Sequence, residues 1–194
     1  MLEASAVRVA IDLMHVPSRV RAARAAPLPP QIDVVLRIAA GDEAAEIEAA
    51  QETGRSRAIV RQAATFFIEQ ILLHPGADSY RILGATPQAK SQELRRNLAL
   101  LLRWLHPDMH RDGVRAVLAT RVTRAWENLK TPSRRAEHDA TEAAFAEVRK
   151  RAQDSRRPRG TSRSRSARLV RVRVNSTPGL LQRVLRYLLF RQPH

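Results

Sequence analysis

The chain has no cysteine among its 194 residues. Disulfides, thiolate metal sites and thiol nucleophiles are therefore excluded. It also lacks any run of roughly 18 uninterrupted apolar residues, so no membrane-spanning helix is expected. The first residues, Met1-Leu2-Glu3-Ala4, are not a basic segment leading into an apolar one, so no secretory signal is expected either. Lysine is scarce, occurring only at Lys90, Lys130 and Lys150, so nearly all of the 34 cationic side chains are arginine. An arginine excess follows from compositional bias as readily as from bidentate phosphate recognition, so it does not by itself identify a nucleic-acid partner.

What is present is enough apolar material, 44% of residues, to bury one core or two small ones. The net charge of +15 is uneven: residues 1–76 carry −1, residues 77–140 carry +5 and residues 141–194 carry +11. The high pI thus describes a tail more than a whole protein.

In the first segment, Val7, Val9, Ile11 and Leu13 alternate, which favours a short strand, while Ala10 and Met14 also allow a helix. Pro27-Leu28-Pro29-Pro30 is a firm break. Three helices are predicted after it. The first spans 31–40 and stops at Gly41. The second spans 42–53, with Asp42 as N-cap and Gly54 as its stop. The third spans 55–74, with Phe66 and Phe67 on its core face. No acid, base and nucleophile cluster is visible in this third of the chain.

The central segment is denser in signals. Asp78 to Gly84 reads as one helical turn, with Tyr80 and Leu83 directed inward. Ser91 is a candidate N-cap for a helix whose apolar stripe is Leu94, Leu98, Leu101, Leu102 and Leu105. That stripe ends at His106-Pro107-Asp108, where proline stops the helix. A second helix begins near Gly113 and presents Val114, Leu118, Val122, Ala125, Trp126 and Leu129. Thr131-Pro132 opens a short further helix over 133–139. His106 and His110 lack a third nearby metal ligand of fitting geometry, and no metal or other cofactor is expected.

Taken in order, these motifs are Tyr80-x-x-Leu83-Gly84, Glu93-Leu94-Arg95-Arg96, His106-Pro107-Asp108, Ala125-Trp126-x-x-Leu129 and Pro132-x-x-Arg135-Ala136-x-His138-Asp139. Residues 78–139 resemble the J-domain of bacterial DnaJ-type co-chaperones. The resemblance implies that the loop and the basic face of the preceding helix dock on the ATPase domain of a DnaK-type (70-kDa heat-shock) chaperone, accelerating its ATP hydrolysis. Asp108 would pair with an arginine of the partner, and His106 and Pro107 would hold the loop. Arg95, Arg96 and Arg103 would offer positive charge to an acidic surface.

The pattern departs from the family at Ala99, Leu100 and Trp104, where lysine or arginine is usual. Leu100 and Trp104 make a second apolar patch on their helix, and the 55–74 helix is the expected cover for it. Trp126 and His138 stand in place of usual tyrosines, and Ala119 where phenylalanine is common.

In the tail, 141–153 continues as an amphipathic helix through Ala144, Phe145 and Val148, and 154–166 reads as a solvated Arg/Ser-rich linker. Arg168 to Val174 is strand-like, and Leu180 to Arg191 is a basic amphipathic helix suited to an interface or a docking site.

The expected architecture is all-α: a helical bundle over 1–76, a J-domain hairpin over 77–140, and a basic C-terminal tail made of a helix and a disordered Arg/Ser-rich linker over 141–167 and a basic amphipathic segment over 168–194. The expected role is a cytoplasmic co-chaperone, not an enzyme, peripheral to the membrane if the tail binds lipid. Its partners would be a DnaK-type chaperone and an unfolded client. The alternative is a J-fold binding protein with a weakened chaperone contact, whose tail holds nucleic acid or anionic membrane.

Overall fold

The computed structural model describes residues 5–106 and 113–156, all of whose regular elements are helical. Contacts divide the chain into residues 1–153, a compact unit, and residues 154–194. Of the second unit only 154–156 is described, so the strand-like and amphipathic tail segments lie outside the described residues.

Helix α1 spans Ala6–His15, which resolves the ambiguity over residues 7–13 in favour of a helix. Ala6, Val7, Ala10, Ile11 and Leu13 are all buried, whereas Val9 is only half-buried. The apparent alternation is therefore incidental to a helical face built on small residues. Ala6 and Ala10 are fully buried, as is Ala63 on α5 (Arg57–Phe67), and α1 lies against α5 more extensively than any other pair of helices meet. Small side chains allow that close approach.

A 3-10 turn (Pro17–Arg19) and short α2 (Val20–Ala25) lead to the proline segment. Helix α3 is Ile32–Ala39 and α4 is Glu43–Thr53. Asp42 caps α4 as expected, accepting from the Ala45 N–H at 3.1 Å and receiving Arg37 Nε at 2.8 Å. Glu46 on α4 is only 2% exposed. Its two oxygens accept from Arg61 at 2.7 Å each, and Arg57 adds weaker contacts at 3.3 Å. A carboxylate can stay charged out of water only with such pairing.

The predicted 55–74 helix is α5 followed by a π-turn, Ile68–Leu72. The wider turn places the Gln70 carbonyl within reach of Arg24 Nε at 2.7 Å, which clips α2 to it. Phe67 is fully buried and Phe66 half-buried.

Helices α6 (Ser79–Ile82), α7 (Ser91–Trp104), α8 (Gly113–Leu129) and α9 (Pro132–Arg156) complete the fold. Ser91 is the first residue of α7 and not its N-cap; Lys90 occupies the cap position without a side-chain bond. The Ser91 hydroxyl instead accepts from Arg135 at 3.2 Å. The short fourth helix and the 141–153 segment are one continuous helix, α9, with no glycine or proline within it after Pro132. Its later apolar residues are not packed: Phe145 is 59% and Val148 63% exposed.

The main neighbours of α7 differ from expectation. Helix α7 packs between α8 and α3, not beneath the 55–74 helix, because α5 already spends its apolar face on α1, α3 and α4. Trp104 is thereby 4% exposed and Leu100 is packed against the core. Gly84 marks the same seam. Its φ of +61° suits glycine, and a Cβ there would lie 2.8 Å from Ile32 Cγ2.

Candidate functional site

Helix α6 is set by Asp78, whose carboxylate accepts from the Arg81 N–H at 2.9 Å. It places Tyr80 in the core, with its hydroxyl donating to Asp139 at 3.4 Å and its ring edge-on to His138 at 5.6 Å. Burial first, and then Asp139, push the Tyr80 hydroxyl above its usual range, so it stays a neutral donor. His138 therefore serves where a tyrosine is usual, as one ring of an aromatic pair.

Helices α7 and α8 are antiparallel, as two cation–ring contacts show. Arg95, early in α7, lies 6.0 Å from the Trp126 ring late in α8; Arg115, early in α8, lies 4.7 Å from Trp104 at the end of α7. Between them Leu94, Leu101 and Leu105 are buried with Val122, Ala125 and Leu129. Leu98, Leu118 and Ala119 are half-buried against this core, so Leu118 contributes volume beside the small Ala119.

One predicted stripe residue is misplaced. Leu102 is 39% exposed, and Asn97 and Trp104 take up the inward positions instead. The reason is that α7 is buried on two sides, by α8 and by α3, which turns the protected sector away from Leu102. Asn97, 2% exposed, donates from Nδ2 to the Leu83 carbonyl at 2.9 Å and to the Gly84 carbonyl at 3.3 Å. It pins α7 to the turn after α6. Its polarity within a leucine-rich helix is the available sequence signal for this role.

Two further arginines hold the hairpin in place. Arg135 on α9 donates to the carbonyls of Leu129 at 3.2 Å and Ala89 at 2.9 Å, as well as to Ser91. Arg121 on α8 donates to the carbonyls of Leu73 and His74, capping the end of the α5 and π-turn helix. The first 76 residues and the hairpin are joined by the Arg121 bonds as well as by the α3 seam.

The predicted site residues fall as follows. Arg95, Arg96 and Arg103 are all exposed on the solvent side of α7, and their spacings of four, three and seven with Ala99 place them on one face. His106 is exposed just beyond the helix, its N–H bonded to the Arg103 carbonyl at 3.3 Å. Pro107 and Asp108 lie outside the described residues. The structure thus brings the three arginines together and sets them beside the start of the loop.

The arrangement offers no nucleophile with an adjacent base among the described residues. It presents a positively charged helix face with Ala99 at its centre and Leu102 at its edge.

Residues 78–139 match the family model of the DnaJ domain. The chain is a J-domain-containing protein. No curated protein and no solved structure matches it. The matched span begins at the cap of α6 and ends at Asp139, the partner of Tyr80, so the ring of contacts from Tyr80 through α7 and α8 to Arg135 is the body of the J-domain. A J-domain implies a co-chaperone role with a 70-kDa heat-shock chaperone. Helix α3, which packs on α7, lies outside the matched span, so the J-domain here is buttressed by the chain that precedes it.

Proposed function

We propose that this protein is a co-chaperone that docks on a DnaK-type chaperone through the solvent face of α7 and the His106-Pro107-Asp108 loop, stimulating its ATP hydrolysis. The observation that carries this reading is the shared exposure of Arg95, Arg96 and Arg103 on the side of α7 that leads into His106. The arginines raise the encounter rate with an acidic surface and set its register. The protein is an adaptor and not an enzyme: it makes no bonds, and its effect on hydrolysis is a shift of the partner toward its active conformation, driven by differential binding. Asp108 is the residue proposed to engage an arginine of the chaperone, with His106 and Pro107 holding the loop. The segments outside the J-domain select the client or the location, in the cytoplasm or at the membrane periphery.

The test is steady-state ATP hydrolysis by the cognate chaperone with the full chain added. Stimulation by wild type and none by Asp108→Asn is the expected result. Equal behaviour of the two proteins would sink the reading.

A second reading follows from the burial of Trp104 and half-burial of Leu100, which removes two positions that are usually basic from the docking face. A contact weakened in this way leaves the arginine-rich tail as the main binding element, on nucleic acid or anionic membrane. That reading requires steeply salt-dependent binding that disappears when residues 155–194 are deleted.

A further inference from the structure

We infer that the protein dimerises through the outer half of α9, which pairs antiparallel with the same helix of a second copy. The contact is separate from the chaperone-docking face on α7 and does not depend on it.

Helix α9 runs well past the J-domain body, whose matched span closes at Asp139. Beyond it, residues 143–149 are all exposed. A helix draws most of its stability from packing, yet this stretch carries apolar side chains into solvent: Phe145 is 59% and Val148 63% exposed. Thr141, Phe145 and Val148 recur at spacings of four and three, the pattern of a two-helix seam. Ala144 lies beside them, and its short side chain lets a neighbouring helix approach.

The charges decide what fits that seam. Glu137, Asp139, Glu142 and Glu147 come first along the helix, with no lysine or arginine among them, and Arg149 and Arg151 follow. Glu142 and Arg149 are seven residues apart, so they flank the seam on one side, two turns from each other. Within one chain they meet only loosely, at 3.8 Å. Antiparallel pairing that sets Phe145 against Val148 of the second copy places each Glu142 by the other copy's Arg149. The two-fold symmetry makes that ion pair twice. Parallel pairing would set every charge beside its own copy, acid on acid and arginine on arginine. A nucleic acid or an anionic membrane would meet the carboxylates of this stretch, so neither fits it. The seam is short and belongs with transient interfaces, so monomer and dimer should exchange. Because α9 starts in the J-domain and the paired helices run in opposite directions, the two J-domains lie at opposite ends of the pair.

The test is sedimentation equilibrium of the full chain over a roughly hundred-fold concentration range. Wild type is expected to follow a monomer–dimer equilibrium. Phe145→Ala truncates two seam rings per dimer and should weaken association at least about hundred-fold. Glu142→Arg should weaken it about ten-fold. The exchanged pair, Glu142→Arg with Arg149→Glu, should restore wild-type association, which only a second copy in antiparallel register explains. Circular dichroism of dilute Phe145→Ala should match dilute wild type, because the ring is outside the core and alanine favours the helix. A wild type that stays monomeric across the range would overturn the inference. So would a dimer that Phe145→Ala leaves intact, or one that the exchanged pair fails to restore. None of these results alters the outcome of the ATPase test with Asp108→Asn.

Discussion

The guanidinium of Arg115 lies over the Trp104 ring at 4.7 Å and donates to the Trp104 carbonyl at 2.8 Å. One side chain thus closes the end of α7 in two ways, satisfying a terminal carbonyl and covering an aromatic face. Arginine does both because its planar fork can stack and donate together, which lysine cannot. Arg115→Ala should cost about 2 kcal/mol, from a charged hydrogen bond and a partly desolvated cation–ring contact. Arg115→Lys should recover less than half of that. Urea unfolding of the two variants checks it, and equal stabilities for wild type and Arg115→Ala would refute the clamp.

Gly84 tests whether the J-domain is fastened to α3. Gly84→Ala combines a left-handed backbone at φ +61° with a Cβ 2.8 Å from Ile32 Cγ2. The backbone contributes roughly 1–2 kcal/mol, and the clash adds to it. Ile32→Ala in the same chain removes the colliding methyl. The double variant should therefore be more stable than the sum of the single losses, by about 1 kcal/mol. Additive losses would mean that the seam relaxes without resistance.

Glu46 gives the N-terminal bundle a pH dependence of definite sign. Arg61 holds its carboxyl below the usual glutamate range, with Arg57 adding to the effect against the opposing cost of burial. A carboxyl whose folded value is lowered binds its proton more readily when unfolded. Its stabilising effect is complete above the ordinary glutamate pKa of about 4.3 and is lost as the pH falls through the lower folded value. Glu46→Gln should cost about 3 kcal/mol at neutral pH, near the lower end for breaking a buried pair because both arginines reach solvent. The gap to wild type should narrow on acidification below about pH 4, read from denaturant midpoints. A pH-independent gap would remove the ion pair as its cause.

Much of the J-domain is legible in the amino-acid sequence, because its signals are local. The Tyr80–Gly84 turn, the proline stop after α7 and the Thr131-Pro132 start of α9 are set by backbone chemistry at adjacent residues. So are the caps of the earlier helices: Asp42 and Gly54 act where the sequence places them. The alternation of Val7, Val9, Ile11 and Leu13 misleads, since a four-residue pattern fits two periods and only the packing of Ala6 and Ala10 on α5 selects one. Arg95, Arg96 and Arg103 are exposed for a reason visible in their spacing, because three arginines on one helix face seldom find burial.

Ordered motifs and helix periodicity depend on neighbours a few positions apart, so residues 78–139 declare a hairpin-based J-domain from the amino-acid order alone. Which side of α7 meets solvent is a tertiary matter. Leu102 belongs to the apolar stripe by spacing, and Trp104 does not, yet Trp104 is buried and Leu102 is exposed. Periodicity orients a helix toward one partner. Here there are two, α8 and α3, and the angle between them, set by contacts between segments distant in the chain, fixes the sector of α7 left open to solvent.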